Sequence, residues 1–543
     1  MSETFKRLSQ DFAPMEEVHG EALPTDKGRL KVWVDNLPRA NPRETAALLF
    51  SGLVQGMKHS LTGTTRYMQL EEVREATLDS IAWLERQFAG GTLPLVLDRL
   101  AYAQRSIQLH IVLADGYRLA CHEICAPSGA IPMFKSSQVN TCLARSIWHY
   151  QQALYLNWKL YRASPERVWL GMHRTFQFAL DLKLDSKDIE DPFLKRSVQI
   201  GHIYFETCLV SLMNPLAFAQ SGQDHIKLLA TGFAPHSSVS MLRNSEHAVK
   251  LPINTDLPVN SDLPDEQVCF FSFPELIAIL ENLSAESSEE NVDITISKGK
   301  FLTLPNSLLH KVKDSLGAAI DRKSKRQCEP YPVQTIVGFS NLHYFVAGEL
   351  DFNDYVQQLS QLSGQGLSMA ADWVSLGTDV STQQKITAQV LDHSFGGYRI
   401  HWQADSSLRV RIGEVIGLNV QNPNSEPDWM IAVIRWLRYE QDNSVSAGLE
   451  LISRRCHAVA MRIYQNKQAG SLMRGLEAIA LNDDSPRQFL ISGRLAGLDQ
   501  QIEVFYSVEP NRIGLPRGLD KLETKAFNLA SNMDYFLLIE KLS

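Results

Sequence analysis

No excess of positive charge, no disulfide framework and no membrane-length apolar run are present in this 543-residue sequence. The net charge of −8 at pH 7 argues against a chain that wraps nucleic acid. Any anion site must then be assembled locally from a basic cluster. The seven cysteines are scattered and odd in number, which reads as reduced thiols in a cytosol. A membrane span needs roughly 20 apolar residues in a row. The greasiest stretch, Leu109 to Leu119, is interrupted by His110, Asp115 and Arg118. Met1-Ser2-Glu3-Thr4-Phe5-Lys6 has neither the basic start nor the apolar core of a signal peptide. P-loop, G-x-S-x-G, H-E-x-x-H and Rossmann glycine patterns are all missing, so nothing speaks for catalysis, and no enzyme activity is expected. Cys121-His122-Glu123-Ile124-Cys125 places two thiols one helical turn apart. No second Cys/His pair with zinc spacing follows, so these read as buried core thiols, and neither a metal nor a cofactor is expected.

What is present is an ordinary globular composition, 44% hydrophobic and 21% charged, long enough for several domains. A cytoplasmic protein is expected. The first half reads as helix. Asn41-Pro42-Arg43-Glu44 supplies an N-cap, a proline at N1 and an acid at N3. Leu48, Leu49, Leu53, Val54 and Met57 then recur at helical spacing. Further helices are expected from about Leu70 to Phe88, from Pro94 into the 120s, through the aromatic run Trp148 to Tyr161, after Ser164-Pro165-Glu166, and from Lys195 to Met213. Trp148, Tyr150, Tyr155 and Trp158 recur at helical spacing and read as core rather than as a stacking platform. An all-helical domain over 1–233 follows from this pattern, then a proline-punctuated linker over 234–268 and a mixed α/β connector over 269–320.

Beyond Asp321-Arg322-Lys323-Ser324-Lys325-Arg326 the character becomes β. Val333–Phe339, Ile386–Leu391, Tyr398–Trp402, Arg409–Leu418, Trp429–Trp436 and Val445–Leu451 read as short strands at turn-separated intervals, which implies a small antiparallel barrel over 321–465. The stretch 350–382 is polar and reads as an insertion. Residues 466–543 alternate again and suggest a second β-rich unit. The fold class expected is multidomain α + β. At the centre of the β region, Asp392-His393-Ser394-Phe395-Gly396-Gly397 puts an acid, a hydroxyl and two glycines at a tight turn between strands. Such a corner suits a phosphate or a base edge.

Three motifs in order resemble the PilZ family, whose six-stranded barrel serves bacteria as a receptor for cyclic di-GMP. Arg322-Lys323-Ser324-Lys325-Arg326 has the R-x-x-x-R form that precedes the first PilZ strand. Asp392, Ser394 and Gly397 match [D/N]-x-S-x-x-G. Ile434-Arg435-Trp436 followed by Gly448-Leu449-Glu450 resembles the later V-x-W…G-x-x-F pattern, with Leu451 where phenylalanine is usual. The resemblance covers roughly 320–465 and implies that Arg322, Arg326, Asp392, Ser394 and Gly397 bind cyclic di-GMP. It implies that the arginines take phosphate and base, while Asp392 and Ser394 recognise guanine and backbone. Arg326 and Asp392 are 66 positions apart (392 − 326), a longer gap than is usual in the family.

Two readings follow. In the first, the barrel senses cyclic di-GMP and signals to a helical domain that binds a protein partner. In the second, the barrel has lost its ligand and the chain is a scaffold. Arg435, Arg438, Arg454 and Arg455 could extend the anion surface, but exposed strand charges are the simpler reading.

Overall fold

The computed structural model describes residues 2–191, 196–243, 245–260, 263–264, 268–283, 291–297, 300–320, 327–363, 384–405, 408–419, 428–465, 468–479, 485–493, 495, 497–506, 520–529 and 533–541. The chain divides into two units, Met1–Lys323 and Ser324–Ser543.

The first unit is built on helices: α1 Glu3–Arg7, α2 Lys27–Asp35, α3 Pro42–Met57, α4 Gly63–Phe88, α5 Leu97–Cys125, α6 Ser136–Lys159, α7 Val168–Asp181, α8 Ile200–Leu212 and α9 Gln220–Phe233. Helix α3 starts where its capping residues predict, with Asn41 Oδ1 accepting from the Glu44 amide and Pro42 at N1. The long α5 and α6 each bury a long run of apolar residues. Cys121 and Cys125 are buried there with Trp148, Tyr150, Tyr155 and Trp158. A hairpin interrupts the helical series, with β1 Asp188–Asp191 pairing antiparallel to β2 Arg196–Gln199. The helix expected from Lys195 therefore begins only at Ile200. Asp191 forms a buried ion pair with Arg74 of α4 at 2.9 Å, which anchors the hairpin to the bundle.

Within the stretch read as a linker, β3 Ser238–Ser240 and β4 Val249–Leu251 flank β5 Cys269–Ser272 in a small sheet. Helix α10 Pro274–Glu281, the hairpin β6 Asn291–Ser297 with β7 Lys300–Pro305, and α11 Asn306–Ile320 complete the unit. No helix among the described residues is long and apolar enough to cross a membrane.

The second unit opens with a closed antiparallel barrel. Its strands are β8 Tyr331–Val337, β9 Ile386–Ser394, β10 Gly397–Trp402, β11 Val415–Asn419, β12 Met430–Tyr439 and β13 Val445–Ser453, in the ring order β8-β9-β10-β13-β12-β11. Trp402 is fully buried in it, and its indole N–H donates to Thr335 Oγ1 at 2.9 Å. Between β8 and β9 lie α12 Phe339–Val346 and α13 Phe352–Ser363. The latter occupies a stretch that the sequence presents as polar. Its apolar residues Phe352, Tyr355, Val356 and Leu359 fall at i, i+3, i+4 and i+7, one helical face, and all are buried.

Seven more strands follow: β14 Cys456–Gln465, the two-residue β15 Gln468–Ala469, β16 Met473–Ala478, β17 Gln488–Ser492, β18 Asp499–Tyr506, β19 Asp520–Asn528 and β20 Tyr535–Glu540. Pairing of β14 with β18 joins the ends of this sheet into a ring ordered β14-β16-β17-β20-β19-β18. Counted from its own first strand, and leaving β15 aside, each ring reads one-two-three-six-five-four. The C-terminal unit thus repeats the connectivity of the barrel before it. The rings share one apolar core: Ile336, Val415, Trp429 and Val433 of the first pack in a cluster with Leu476, Leu490 and Tyr535 of the second, and Leu342 of α12 joins them. A polar tie crosses the same boundary, Tyr535 Oη donating to Glu414 Oε1 at 2.6 Å.

Several histidines are buried as neutral rings. Burial, with the Arg74 charge adding, depresses His110 to about 3. Burial likewise depresses His173 to about 4 and His343 to about 4. The unfolded chain, with histidines near 6.5, takes up protons that the folded chain refuses, so stability present above about pH 6.5 is lost as pH falls toward 4. Thermal melts of the full chain are expected to shift downward steadily between pH 7 and pH 4.5. A melting temperature independent of pH across that window would contradict this burial.

Candidate functional site

The Asp392 corner is a two-residue hairpin. Ser394 ends β9, Gly397 begins β10 and pairs with it, and Phe395-Gly396 makes the turn. The register slips between Arg399 and Ile400, so that Asp392 opposes Arg399 while Val390 opposes Ile400, leaving Leu391 as an extra residue. The two-residue turn, on the near side of the bulge, sets Asp392 directly opposite Arg399, and the two form an ion pair at 3.4 Å. Asp392 is buried at 6% exposure, whereas the Arg399 side chain is open to solvent.

A second bulge lies on the strand three places around the ring from β9. On β12, Ile434 opposes Leu449 and Trp436 opposes Gly448, so Arg435 has no opposing residue on β13. Regular alternation would send Arg435 and Trp436 to opposite faces. The bulge lets both reach the same cavity, of about 220 Å³, whose walls include Asp392, Ser394, Gly397, Arg435, Trp436 and Glu450.

Two glycines make this packing possible. A Cβ at Gly397 would stand 2.4 Å from the Leu449 carbonyl oxygen, and one at Gly448 would stand 1.9 Å from Trp436 Nε1. Gly397 therefore lets β10 lie against β13, and Gly448 seats the indole.

Asp392, Ser394 and Gly397, expected to act together, line one cavity. Arg322 and Arg326 lie outside the described residues. Gln327, the residue after Arg326, is described and joins the corner directly. Its amide donates to the His393 carbonyl and the His393 amide donates to the Gln327 carbonyl, both at 3.0 Å. Arg435, Trp436 and Glu450 enter the wall without having been singled out as site residues. For Arg435 this corrects the reading as a plain surface charge: it donates from Nε to Glu450 and from Nη1 to the Leu529 carbonyl. Arg438 pairs with Glu440 at 2.7 Å, Arg455 with Asp428 at 3.3 Å, and the Arg454 guanidinium lies 5.4 Å from the centre of the exposed Phe395 ring. The available signal for Arg435 was local. Arg-Trp in succession breaks the two-residue period of a strand that is otherwise apolar at Ile434 and Leu437, as a bulge does. Among the described residues no group of three or more His, Cys, Asp or Glu side chains is placed to hold a metal.

Ring order and the hairpin corner define a PilZ-type barrel. Comparison with known families agrees. The model described as the middle PilZ domain of the cyclic-di-GMP receptor FimW matches residues 259–373 and 375–458, and that of the FimW N-terminal domain matches residues 28–244. This chain belongs to that PilZ-containing family. A curated relative, the cyclic-di-GMP receptor FimW of Pseudomonas aeruginosa PAO1, is 24% identical over 532 aligned residues, covering 88% of this chain and 84% of the relative. No solved structure matches the chain.

Substituting Gly448 by Val is expected to lower stability by about 1–3 kcal/mol, the usual cost of overpacking. Pairing Gly448→Ala with Trp436→Ala should restore part of the loss caused by Gly448→Ala alone. Urea unfolding of the single and double variants measures this. Strict additivity would contradict the contact.

Proposed function

We propose that this corner binds cyclic di-GMP and that the chain is a cytoplasmic, non-catalytic effector whose helical region contacts a protein partner. The observation that carries the reading is the paired hydrogen bonding of Gln327 with His393. Consecutive Cα atoms are about 3.8 Å apart. Arg326 is the next residue along the chain from the ladder that holds Asp392 and Ser394, and Arg322 lies four positions further upstream in the sequence.

The chemistry supports the same ligand. An arginine fork matches phosphate oxygens and the O6/N7 edge of guanine, and its plane stacks on a base. Asp392 accepts from guanine N–H groups, Ser394 offers a hydroxyl, and the missing side chain at Gly397 admits a close approach of backbone. A cavity near 220 Å³ is below the range of about 300–1,000 Å³ that encloses a drug-sized ligand. It accommodates one base or phosphate of the dinucleotide. The match to FimW, a cyclic-di-GMP receptor by its description, favours a functional site over a ligand-free scaffold. The seven free cysteines, six of them buried, fit a reducing compartment.

Calorimetric titration of the full chain with cyclic di-GMP is expected to give saturable heat at micromolar ligand. Arg326→Ala and Asp392→Ala should each weaken binding by about ten- to a hundredfold, the range of a charge-assisted hydrogen bond. Absence of heat with the unsubstituted chain would leave the scaffold reading in its place.

A further inference from the structure

Arg435 stands at the junction of three things: the cavity, a carboxylate and the second ring. It is the bulged residue of β12 and lines the cavity beside Asp392 and Ser394. Its Nε donates to Glu450 of β13, and its Nη1 donates to the backbone carbonyl of Leu529 at 2.6 Å. Leu529 follows β19 directly, and its own amide donates to the Tyr535 carbonyl at 3.0 Å at the start of β20. Its side chain packs against the core that the two rings share.

The electrostatics of the wall are unbalanced for a diphosphate ligand. Two carboxylates, Asp392 and Glu450, face the cavity. Asp392 is answered by Arg399 and Glu450 by Arg435. A phosphate arriving in this space is repelled by the Glu450 carboxylate and attracted by the Arg435 guanidinium. Two of the five N–H donors of that guanidinium serve Glu450 and Leu529, and the fork geometry allows the others to take phosphate oxygens bidentately. Bulged strand residues are a recurrent way of re-aiming a side chain at a site.

We propose that Arg435 is a ligand-binding residue beyond the arginine pair and the Asp392–Gly397 corner, that it takes a phosphate of the dinucleotide in competition with Glu450, and that its bond to Leu529 conveys occupancy to the second ring. The inference rests on the reading of the corner as a cyclic di-GMP site, and it adds a reporter element, the C-terminal ring, to that reading. The second ring then has a role that its repeated connectivity alone does not assign: it is the part of the unit whose edge is held by the same guanidinium that holds the ligand.

Three variants test this by calorimetry with cyclic di-GMP and by amide hydrogen exchange of the β20 segment. Arg435→Met keeps the side-chain bulk and removes the charge, and is expected to weaken binding by about ten- to a hundredfold. Arg435→Lys keeps the charge without the fork. It should bind with intermediate affinity and, at saturating ligand, should not reproduce the slowing of exchange over Tyr535–Glu540 that ligand produces in the unsubstituted chain. Glu450→Gln removes the repelling charge and should tighten binding several-fold, which keeps the test informative if the Arg435 variants fold poorly. Unchanged affinity in Arg435→Met or weaker binding in Glu450→Gln overturns the phosphate role while leaving the site reading intact. Ligand-induced slowing over β20 that persists in Arg435→Lys overturns the coupling. No binding by the unsubstituted chain removes the site reading itself, and this inference with it.

Discussion

The pair of hydrogen bonds between Gln327 and His393 is the constraint on which the site depends. It fixes where the chain enters the first barrel, and it does so on the strand that carries Asp392 and Ser394. Sixty-six positions separate Arg326 from Asp392 (392 − 326), and the ladder brings the neighbour of the first to the neighbour of the second. The chain between them is largely built structure where it is described. It runs through β8, turns into α12 and α13 on the second ring, and returns as β9. An excursion that docks on its own surface can be long without loosening the point where it began, because closure entropy grows only slowly with loop length.

Around that point, rigidity comes from close backbone contacts. Gly397 and Gly448 permit approaches that any side chain would block, and the turn at Phe395-Gly396 and the bulge at Arg435 bring polar groups of two non-adjacent strands to one cavity. The far side of the barrel is held by a core continuous with the second ring and by the Tyr535–Glu414 hydrogen bond, with burial raising the Glu414 carboxyl and the Tyr535 phenol. A cavity with one wall tied to a neighbouring ring is suited to converting a small local charge event into a shift in packing, since packed interfaces move between discrete arrangements.

Much of this was legible in the residues. The hairpin at Asp392 was visible because a two-residue turn with glycine between alternating strands is a local signal. The α3 start was visible because Asn41, Pro42 and Glu44 act within one helical turn. The first barrel could be anticipated because its strands are apolar and regularly spaced. Arg435 was not, because the bulge beside it signals a changed direction but not what it faces, and the cavity wall at Asp392 lies 43 positions away in sequence (435 − 392). Helix α13 was overlooked because the polar residues between Phe352 and Leu359 mask four apolar positions at helical spacing. Strand β2 was read as the start of the helix that begins at Ile200, because nothing local marks the hairpin it forms with β1. Its anchor, the Arg74–Asp191 pair, joins residues 117 apart. The repeat of connectivity between the rings has no counterpart in spacing or motif and emerges only from strand pairing.

The central claim is that a ligand seated at the corner bears on the pairing of Gln327 with His393. Amide hydrogen exchange at Gln327 and His393, with and without cyclic di-GMP, measures this directly. The account predicts that both amides exchange more slowly when ligand is bound, because the ladder they form flanks the occupied corner. Ligand binding that leaves the exchange of both amides unchanged would contradict it.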